Sequence, residues 1–238
     1  MKRLGIVGGI SCDHLVRAGV GARFDQPGGP GLYASLAASH LPDGTVSLLS
    51  DLPSDDARID SLLRENRIDV AHSARIPTVA RLWILDAPEG RRVIPVGVAS
   101  DEAEISPNPQ LDDDGHLFRR DDLDGFDALL LCAPTYIPQP ASATTRGIDP
   151  DQLAIHREGW RYIEACCRWA TVLIPSRVQL RQLGEEPLRV AARLREQFGV
   201  DVVAKLDRDG AVVLPASGGA WRAYDPAVQV IETTGAGD

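Results

Sequence analysis

The residues best equipped for chemistry stand at the end of the chain, in ETTGAGD, Glu232 to Asp238. Gly235 and Gly237 flank Ala236 at a spacing that lets a backbone turn sharply and expose consecutive N–H groups, which is how a chain builds an anion-binding nest. At the start of a helix such a nest gains the positive end of the helix dipole. The amides of Gly235, Ala236 and Gly237 would then hold charge developing on a transferring phosphoryl group, with Asp238 accepting the proton of an attacking hydroxyl. A plainer reading of the same residues is a strand-to-helix turn capped by Asp238. The approach, with Val228 and Val230 alternating, reads as a strand leading into Thr233 and Thr234.

Several phosphate-handling devices are excluded. Only two of the 25 basic residues are lysines, Lys2 and Lys205, and neither stands in the G-K-[ST] setting of a P-loop. The glycines of GIVGGISCD, at positions 5, 8 and 9, miss the G-x-G-x-x-G register of dinucleotide-binding folds. A formal net charge of −9 argues against a nucleic-acid surface, because phosphate backbones are bound by clustered Lys and Arg. Cys12, Cys132, Cys166 and Cys167 show no C-x-x-C spacing, so neither zinc nor a disulfide framework is indicated and reduced, mostly buried thiols are expected. The acidic run from Leu111 to Asp127 reads as a solvated loop rim rather than a metal site, and no metal-ligating residues are assigned. No apolar run approaches the roughly 18 residues of a membrane span, and MKRLGIVGGI reads as a first strand rather than a signal peptide. A cytoplasmic location is expected by default.

Behind these residues must stand elements that position them. A chain of 238 residues, 44% hydrophobic and 25% charged, suffices for one substantial core with a small appended subdomain. Short apolar runs alternate with helical stretches, the pattern of an α/β protein with a mostly parallel sheet. LGIVGGI, TVSLLSD, IDVAHS, DALLLCAP, TVLIP and DVVAKL read as strands. GLYASLAASHL, SDDARIDSLLRENR with Ser54 as N-cap, the stretch around DPDQLAIHREGWRYIEACCRWA, and PLRVAARLREQFG read as helices. Two stretches break the alternation, HLVRAGVGARFDQPGG and TVARLWILDAPEGRRVIPVGV, and read as antiparallel strands. They predict a small β lid from residues 14–27 and 76–98, inserted at two points into the core. Arg81 and Trp83 on it would close over a substrate or merely stiffen the lid, and His14 nearby reads as a local hydrogen-bond partner. The exposed sheet offers a homodimer surface, since edge strands invite pairing. Pro134 to Gln152 reads as one long loop, lining a crevice or simply connecting elements across the surface.

The terminal stretch resembles the D-T-x-G-A-G-D signature of the ribokinase-like (PfkB) carbohydrate kinase family, matched at six positions of seven with Glu232 for the first Asp. Other landmarks follow in order along the whole chain. GIVGGISCD resembles the family's first strand, whose closing Asp, here Asp13, binds sugar hydroxyls. PGGPGLYASLAA resembles the Gly-Gly segment, where Gly28 and Gly29 let backbone approach the substrate, and Tyr33 stands at its usual Asn. VLIPSRVQL sits at the family's P-N-x-x-E, with Ser176 and Gln179 at the Asn and Glu that organise magnesium, water and phosphate. VVAKLDRDGAVV resembles the strand-turn-strand before the catalytic turn, with Lys205 and Asp207 replacing Thr and Gly near the nucleotide phosphates.

The resemblance implies a single ribokinase-like three-layer α/β domain over residues 1–238 with a small β lid. It implies a kinase using ATP and Mg²⁺ on a small-molecule sugar or nucleoside. Asp238 is the implied base and 235–237 the anion hole. Asp13, Gly28, Gly29 and Tyr33 form the implied acceptor site, and Lys205, Asp207 and Thr234 the nucleotide side. The family normally continues past G-A-G-D, so the domain is expected to be C-terminally incomplete here and the 238-residue chain not to turn over. The altered Ser176, Gln179 and Glu232 keep a second reading open, a noncatalytic sugar- or nucleoside-binding relative.

Overall fold

The computed structural model of the protein describes residues 2–54, 56–87, 90–96, 123–139 and 142–227. The terminal turn, Thr234 to Asp238, and most of the acidic run lie outside the described residues.

β1 (Lys2–Val7) is a central strand, paired in parallel with β4 (Gly44–Leu49) on one side and β9 (Ala128–Cys132) on the other. The parallel series continues from β9 through β10 (Thr145–Asp149) and β11 (Val172–Leu173) to β12 (Asp201–Lys205). β13 (Ala211–Leu214) and β14 (Trp221–Ala223) add antiparallel strands at that edge, making eight among the described residues. Alternation along β1 explains the layers: Ile6 enters one core and Val7 the other. Ile6, Val46 and Leu48 pack with Leu32 of α1 (Pro30–Ser39) and with Ile59 and Leu63 of α2 (Ala57–Glu65). Val7, Leu49, Leu129 and Leu131 share the second core with four further helices, α3 (Gln152–Glu158), α4 (Trp160–Trp169), α5 (Arg177–Leu183) and α6 (Pro187–Phe198). Strands buried on both faces must be apolar at nearly every position, which is why LGIV and ALLLC are continuous runs.

Three residues, Gly8 to Ile10, carry the chain out of this sheet into a second one, of order β3-β2-β7-β8. Here β2 (Ser11–Arg17) and β3 (Gly21–Gly28) form one antiparallel hairpin, and β7 (Ala80–Ala87) and β8 (Gly90–Pro95) another. β2 and β7 join them in parallel. A short parallel pair, β5 (Asp51–Pro53) and β6 (Ala74–Ile76), lies beside α2 in sequence.

The structure corrects several sequence expectations. Asp13 does not close the first strand; it lies within β2, because Gly8 to Ile10 separate the two strands. IDVAHS contributes only an isolated bridge, Asp69 to Ser47, and the strand proper is β6. The loop expected from Pro134 to Gln152 contains β10, an inner strand of the main sheet. The helix expected around Asp149 to Ala170 is divided at Gly159, whose φ of 58° ends α3 and starts α4. The N-cap of α2 is Asp56, which accepts from the Arg58 amide, whereas the Ser54 hydroxyl donates to the Ile76 carbonyl at 2.9 Å. All four cysteines are buried and unbridged. No helix among the described residues is long and apolar enough to cross a membrane.

Candidate active site

In an open parallel sheet, ligands bind beyond the carboxyl ends of the strands, where the connections diverge to opposite faces. Here that point lies between β1 and β9, the strands followed by Gly8 and by Ala133. The chain packs backbone on backbone beside it. Gly31 donates to the Gly9 carbonyl at 3.0 Å, and a Cβ on residue 31 would fall 2.2 Å from Gly8 O. Gly29, at φ 97°, would place a Cβ 2.5 Å from Gly9 O. Residues 8–10 and 28–31 approach this closely because the side chains that would separate them are missing.

Asp13 is buried at this junction, at 2% exposure. A Cβ on Gly28 would meet its Oδ2 at 2.1 Å and Ser11 Oγ at 3.0 Å, so the two side chains converge on the space above Gly28. Ser11 is itself 4% exposed, and its hydroxyl has no hydrogen-bond partner among the described residues. A carboxylate that accepts and a hydroxyl that donates suit the hydroxyls of a polyol. Sequence reasoning missed Ser11, and a lone Ser carries no signal until the register of β2 against β3 is known. Tyr33 joins the same junction from α1, its hydroxyl donating to Pro27 O at 3.2 Å across the Gly28-Gly29 segment. Asp13, Gly28, Gly29 and Tyr33 therefore come together.

The second sheet is stiffened beside them. Between Asp13–Gln26 and Leu15–Arg23, β2 has one residue and β3 has two, a bulge at which Asp25 adopts φ 53°. The bulged Asp25 amide donates to His14 Nδ1 at 3.0 Å, which leaves the proton of a neutral imidazole on Nε2. The ring packs between Trp83, at 4.7 Å between centroids, and Phe24, at 5.6 Å. Arg81 pairs with the Asp25 carboxylate at 3.0 Å, and Arg58 of α2 donates to the Asp25 carbonyl, tying this sheet to the core. Asp56 grips the Arg58 guanidinium, and that cation holds the Asp56 carboxyl below its ordinary range. Beneath them, burial pushes the Cys12 thiol up. Asp25 and Arg58 also escaped the sequence reading, because an Asp in a left-handed bulge is visible only once its partner strand is known.

The other candidate residues gather at the far end of the sheet. Lys205 ends β12 and reaches over β11 to Asp149, the last residue of β10, with 2.5 Å between Nζ and Oδ2. The Lys205 amide donates to Pro175 O at 2.9 Å, placing it beside Ser176. Asp207, at φ 53°, turns its carboxylate to Arg177 Nε at 3.3 Å, and Arg177 also pairs with Asp209 and the Leu206 carbonyl. Four strand spacings separate Lys205 from the end of β1, or about 19 Å across the sheet.

Ser176 and Gln179 have structural work of their own. They form a reciprocal capping box on α5, in which the Ser176 amide donates to Gln179 Oε1 at 2.6 Å and the Gln179 amide donates to Ser176 Oγ at 3.3 Å. Gln179 Nε2 donates to Pro150 O at 2.5 Å, so both ends of the buried carboxamide are engaged. Among the described residues there is no group of three or more His, Cys, Asp or Glu side chains able to hold a metal ion. The loop after β9 is held by Tyr162, whose hydroxyl donates to Pro134 O at 2.5 Å and accepts from the Asp151 amide at 2.9 Å. Burial pushes the Tyr162 phenol and the Asp151 carboxyl up.

No protein-family model matches the sequence, and no curated protein is similar to it. Solved structures are. A fructokinase from Vibrio cholerae, with fructose, ADP and calcium bound, superposes with a TM-score of 0.71 at 18% identity, covering 99% of this chain and 80% of its own. An aminoimidazole riboside kinase from Salmonella enterica, complexed with aminoimidazole riboside and an ATP analogue, gives 0.71 at 16%, covering 98% and 80%. An Escherichia coli structure assigned as a ribokinase II, complexed with ATP and Mg²⁺, gives 0.72 at 14%, covering 100% and 82%. The chain shares their fold.

Proposed function

We propose that this protein, built on the fold of the ribokinase-type sugar kinases, transfers the γ-phosphoryl group of ATP to a hydroxyl of a sugar or nucleoside in the cytoplasm. The observation that carries the reading is the Asp13 carboxylate, buried above Gly28 where the chain leaves β1 at the divergence of the main sheet. Asp13 and Ser11 orient the acceptor hydroxyls, while Gly28 and Gly29 admit the acceptor close to the backbone and Tyr33 braces their segment. The second sheet, formed by β2, β3, β7 and β8, acts as a lid excluding water. The fold similarity to proteins solved with fructose and with a riboside supports these acceptor classes.

On the donor side, Lys205, Asp207 and Thr234 face the nucleotide, which enters as ATP with Mg²⁺ as in the E. coli structure. When bound, Mg²⁺ neutralises phosphate charge. The acceptor oxygen bonds to the γ-phosphorus as the bond to the β-phosphate oxygen breaks, and ADP departs. Asp238 takes the hydroxyl proton, and the amides of Gly235, Ala236 and Gly237 hold the phosphoryl oxygens. The exposed Phe24, Val93 and Ile94 on the second sheet, with Val20 in the β2–β3 turn, would pair two copies through the lid.

The engaged Gln179 carboxamide favours a second reading, a noncatalytic sugar- or nucleoside-binding relative. Mixing the protein with Mg²⁺-ATP and a panel of sugars and nucleosides separates the two. ADP release above the no-acceptor control supports the kinase; acceptor binding without ADP release supports the binder. Asp13→Asn should weaken acceptor binding roughly 10- to 100-fold, the worth of a charged hydrogen bond, and an unchanged affinity would remove Asp13 from the acceptor site.

A further inference from the structure

His14 follows Asp13 along β2 and so lies on the opposite face of that strand, buried at 8% exposure. Its ring is held between Trp83 and Phe24, and its Nδ1 accepts the Asp25 amide at 3.0 Å. This is not an ordinary rung of the sheet. Asp25 is one of the two β3 residues that stand opposite His14 at the bulge, and a side-chain nitrogen supplies the acceptor for its amide. A non-glycine residue at φ 53° persists only where its surroundings hold it. Here the Asp25 carbonyl accepts from Arg58, and its Oδ1 accepts from Arg81 at 3.0 Å and from the Cys12 thiol at 3.7 Å. Three residues on, Gly28 lies against Asp13 and Ser11.

We propose that His14 is an acid-sensitive latch on the second sheet: the neutral ring holds the β3 bulge, and the protonated ring releases it. Imidazole is the side chain that ordinarily changes charge between about pH 5 and 8. Protonation places an N–H on Nδ1, so two donors would face each other at 3.0 Å and the Asp25 amide would lose its acceptor. A ring turned over about its bond to Cβ would present a carbon in the same place, which accepts no better. The charged groups facing the ring are Asp25 from β3, Arg81 from β7, and Arg58 with Asp56 from α2, with Asp13 on the far face of β2. Carboxyl and guanidinium groups ordinarily titrate outside that range, at about 3.9 and above about 12, and burial pushes the Cys12 thiol up, away from it. The Asp25 carboxylate would draw an imidazolium, but its pair with Arg81 offsets that attraction. Release of the bulge frees the strand from Phe24 to Gly28, and Gly28 carries the disturbance to Asp13 and Ser11. That last step, a loss of acceptor order in acid, rests on the kinase reading of the crevice; the latch itself does not.

The test is NMR spectroscopy of the ¹⁵N-labelled protein, without ligand, at about pH 8 and about pH 5.5. At the higher pH the His14 ring should carry its proton on Nε2 and none on Nδ1. Amide protection over residues 21–28, corrected for intrinsic exchange at each pH, should fall on the order of tenfold or more on acidification, the usual worth of a lost buried hydrogen bond, while residues 2–7 and 128–132 keep theirs. His14→Asn offers an oxygen near the position of Nδ1 that acid in this range does not protonate, and its protection should be the same at both pH values. His14→Phe keeps an aromatic ring but has no acceptor, and should be loosened at both. A proton on Nδ1 at the higher pH, wild-type protection over residues 21–28 that acid leaves unchanged, an equal fall in both sheets, or a fall in His14→Asn as large as in wild type overturns the latch. Should either variant fail to fold, the wild-type ring and exchange measurements decide alone. With no ligand present, a failed acceptor assay removes the proposed function and leaves the latch standing.

Discussion

Asp13 and Gly28 occupy one space: the carboxylate Oδ2 stands 2.1 Å from where a Cβ on residue 28 would be. Adding that single carbon must displace the carboxylate. Gly28→Ala is expected to destabilise the protein by about 1–3 kcal/mol, the usual range for overpacking, and to weaken acceptor binding along with it. Chemical denaturation and acceptor titration of the variant measure the two effects, and an alanine variant that binds as tightly as wild type would mean that Asp13 does not face the acceptor.

The capping box at α5 makes a prediction of opposite chemistry. Gln179→Glu keeps the acceptor for the Ser176 amide but replaces the Nε2 donor with an oxygen facing Pro150 O. At neutral pH this sets a buried carboxylate against a carbonyl, and the variant should lose about 1–3 kcal/mol of stability. Protonation restores a donor, so the penalty should shrink on acidification and grow as pH rises. Urea melts at pH 5 and pH 8 read the difference. A penalty independent of pH would mean that the contact to Pro150 is unimportant.

The fold class and alternation of elements were legible because they rest on local apolar periodicity, as in LGIV, ALLLC and the stripe of α6. β10 was not. Only Gly147 and Ile148 of its five residues are buried, so TRGID carries no apolar run, and its place inside the sheet depends on β9 and β11 on either side. The boundary between β1 and β2 was blurred for a related reason. IVGGIS looks like one buried strand, and the change of sheet at Gly8 to Ile10 follows from the close approach of residues 28–31, far away in sequence. Asp13, Gly28 and Gly29 could be nominated by motif, but Ser11 and the bulged Asp25 required strand register. The capping at Ser176 and Gln179 is itself a sequence pattern, Ser with Gln three residues on, and is local enough to be legible without the fold.

Acid should loosen α2. The Asp56 carboxyl is held below its ordinary range by Arg58, so its contribution is present above the unfolded value of about 3.9 and is lost as pH falls through the lower folded value. Asp56→Ala is expected to cost about 1 kcal/mol at pH 7 through the lost N-cap. That difference from wild type should narrow in urea unfolding at pH 3. A gap as wide at pH 3 as at pH 7 would assign the loss to packing rather than to the ionised cap.

Arg58 also joins α2 to the bulge of β3, and its removal should be felt in the second sheet before the first. In Arg58→Met, amide hydrogen exchange is expected to accelerate over residues 21–28 while residues 2–7 and 128–132 keep their wild-type protection. Uniform acceleration across both sheets would show that the contact stabilises the whole fold.

The thiols offer a chemical check on burial. Burial pushes the Cys167 thiol up to about 12 and moves Cys166 in the same direction. Thiolate is the reactive form, so iodoacetamide at pH 8 should label neither residue in the native protein and both after denaturation. Peptide mass spectrometry distinguishes the sites, and native labelling of Cys166 or Cys167 would contradict the helix packing described for α4.

The central position of β1 also bears on the order of events during synthesis. One edge of this strand is covered by β4 as soon as residues 44–49 are made, whereas its other edge waits for residues 128–132. Some 80 residues intervene between the two partners, which at about 5–20 residues per second leaves that apolar edge without its neighbour for several seconds on the ribosome. A nascent chain in that interval presents two paired, hydrophobic strands with an open ladder, the state in which chaperones find clients and neighbouring polysomes risk cross-pairing.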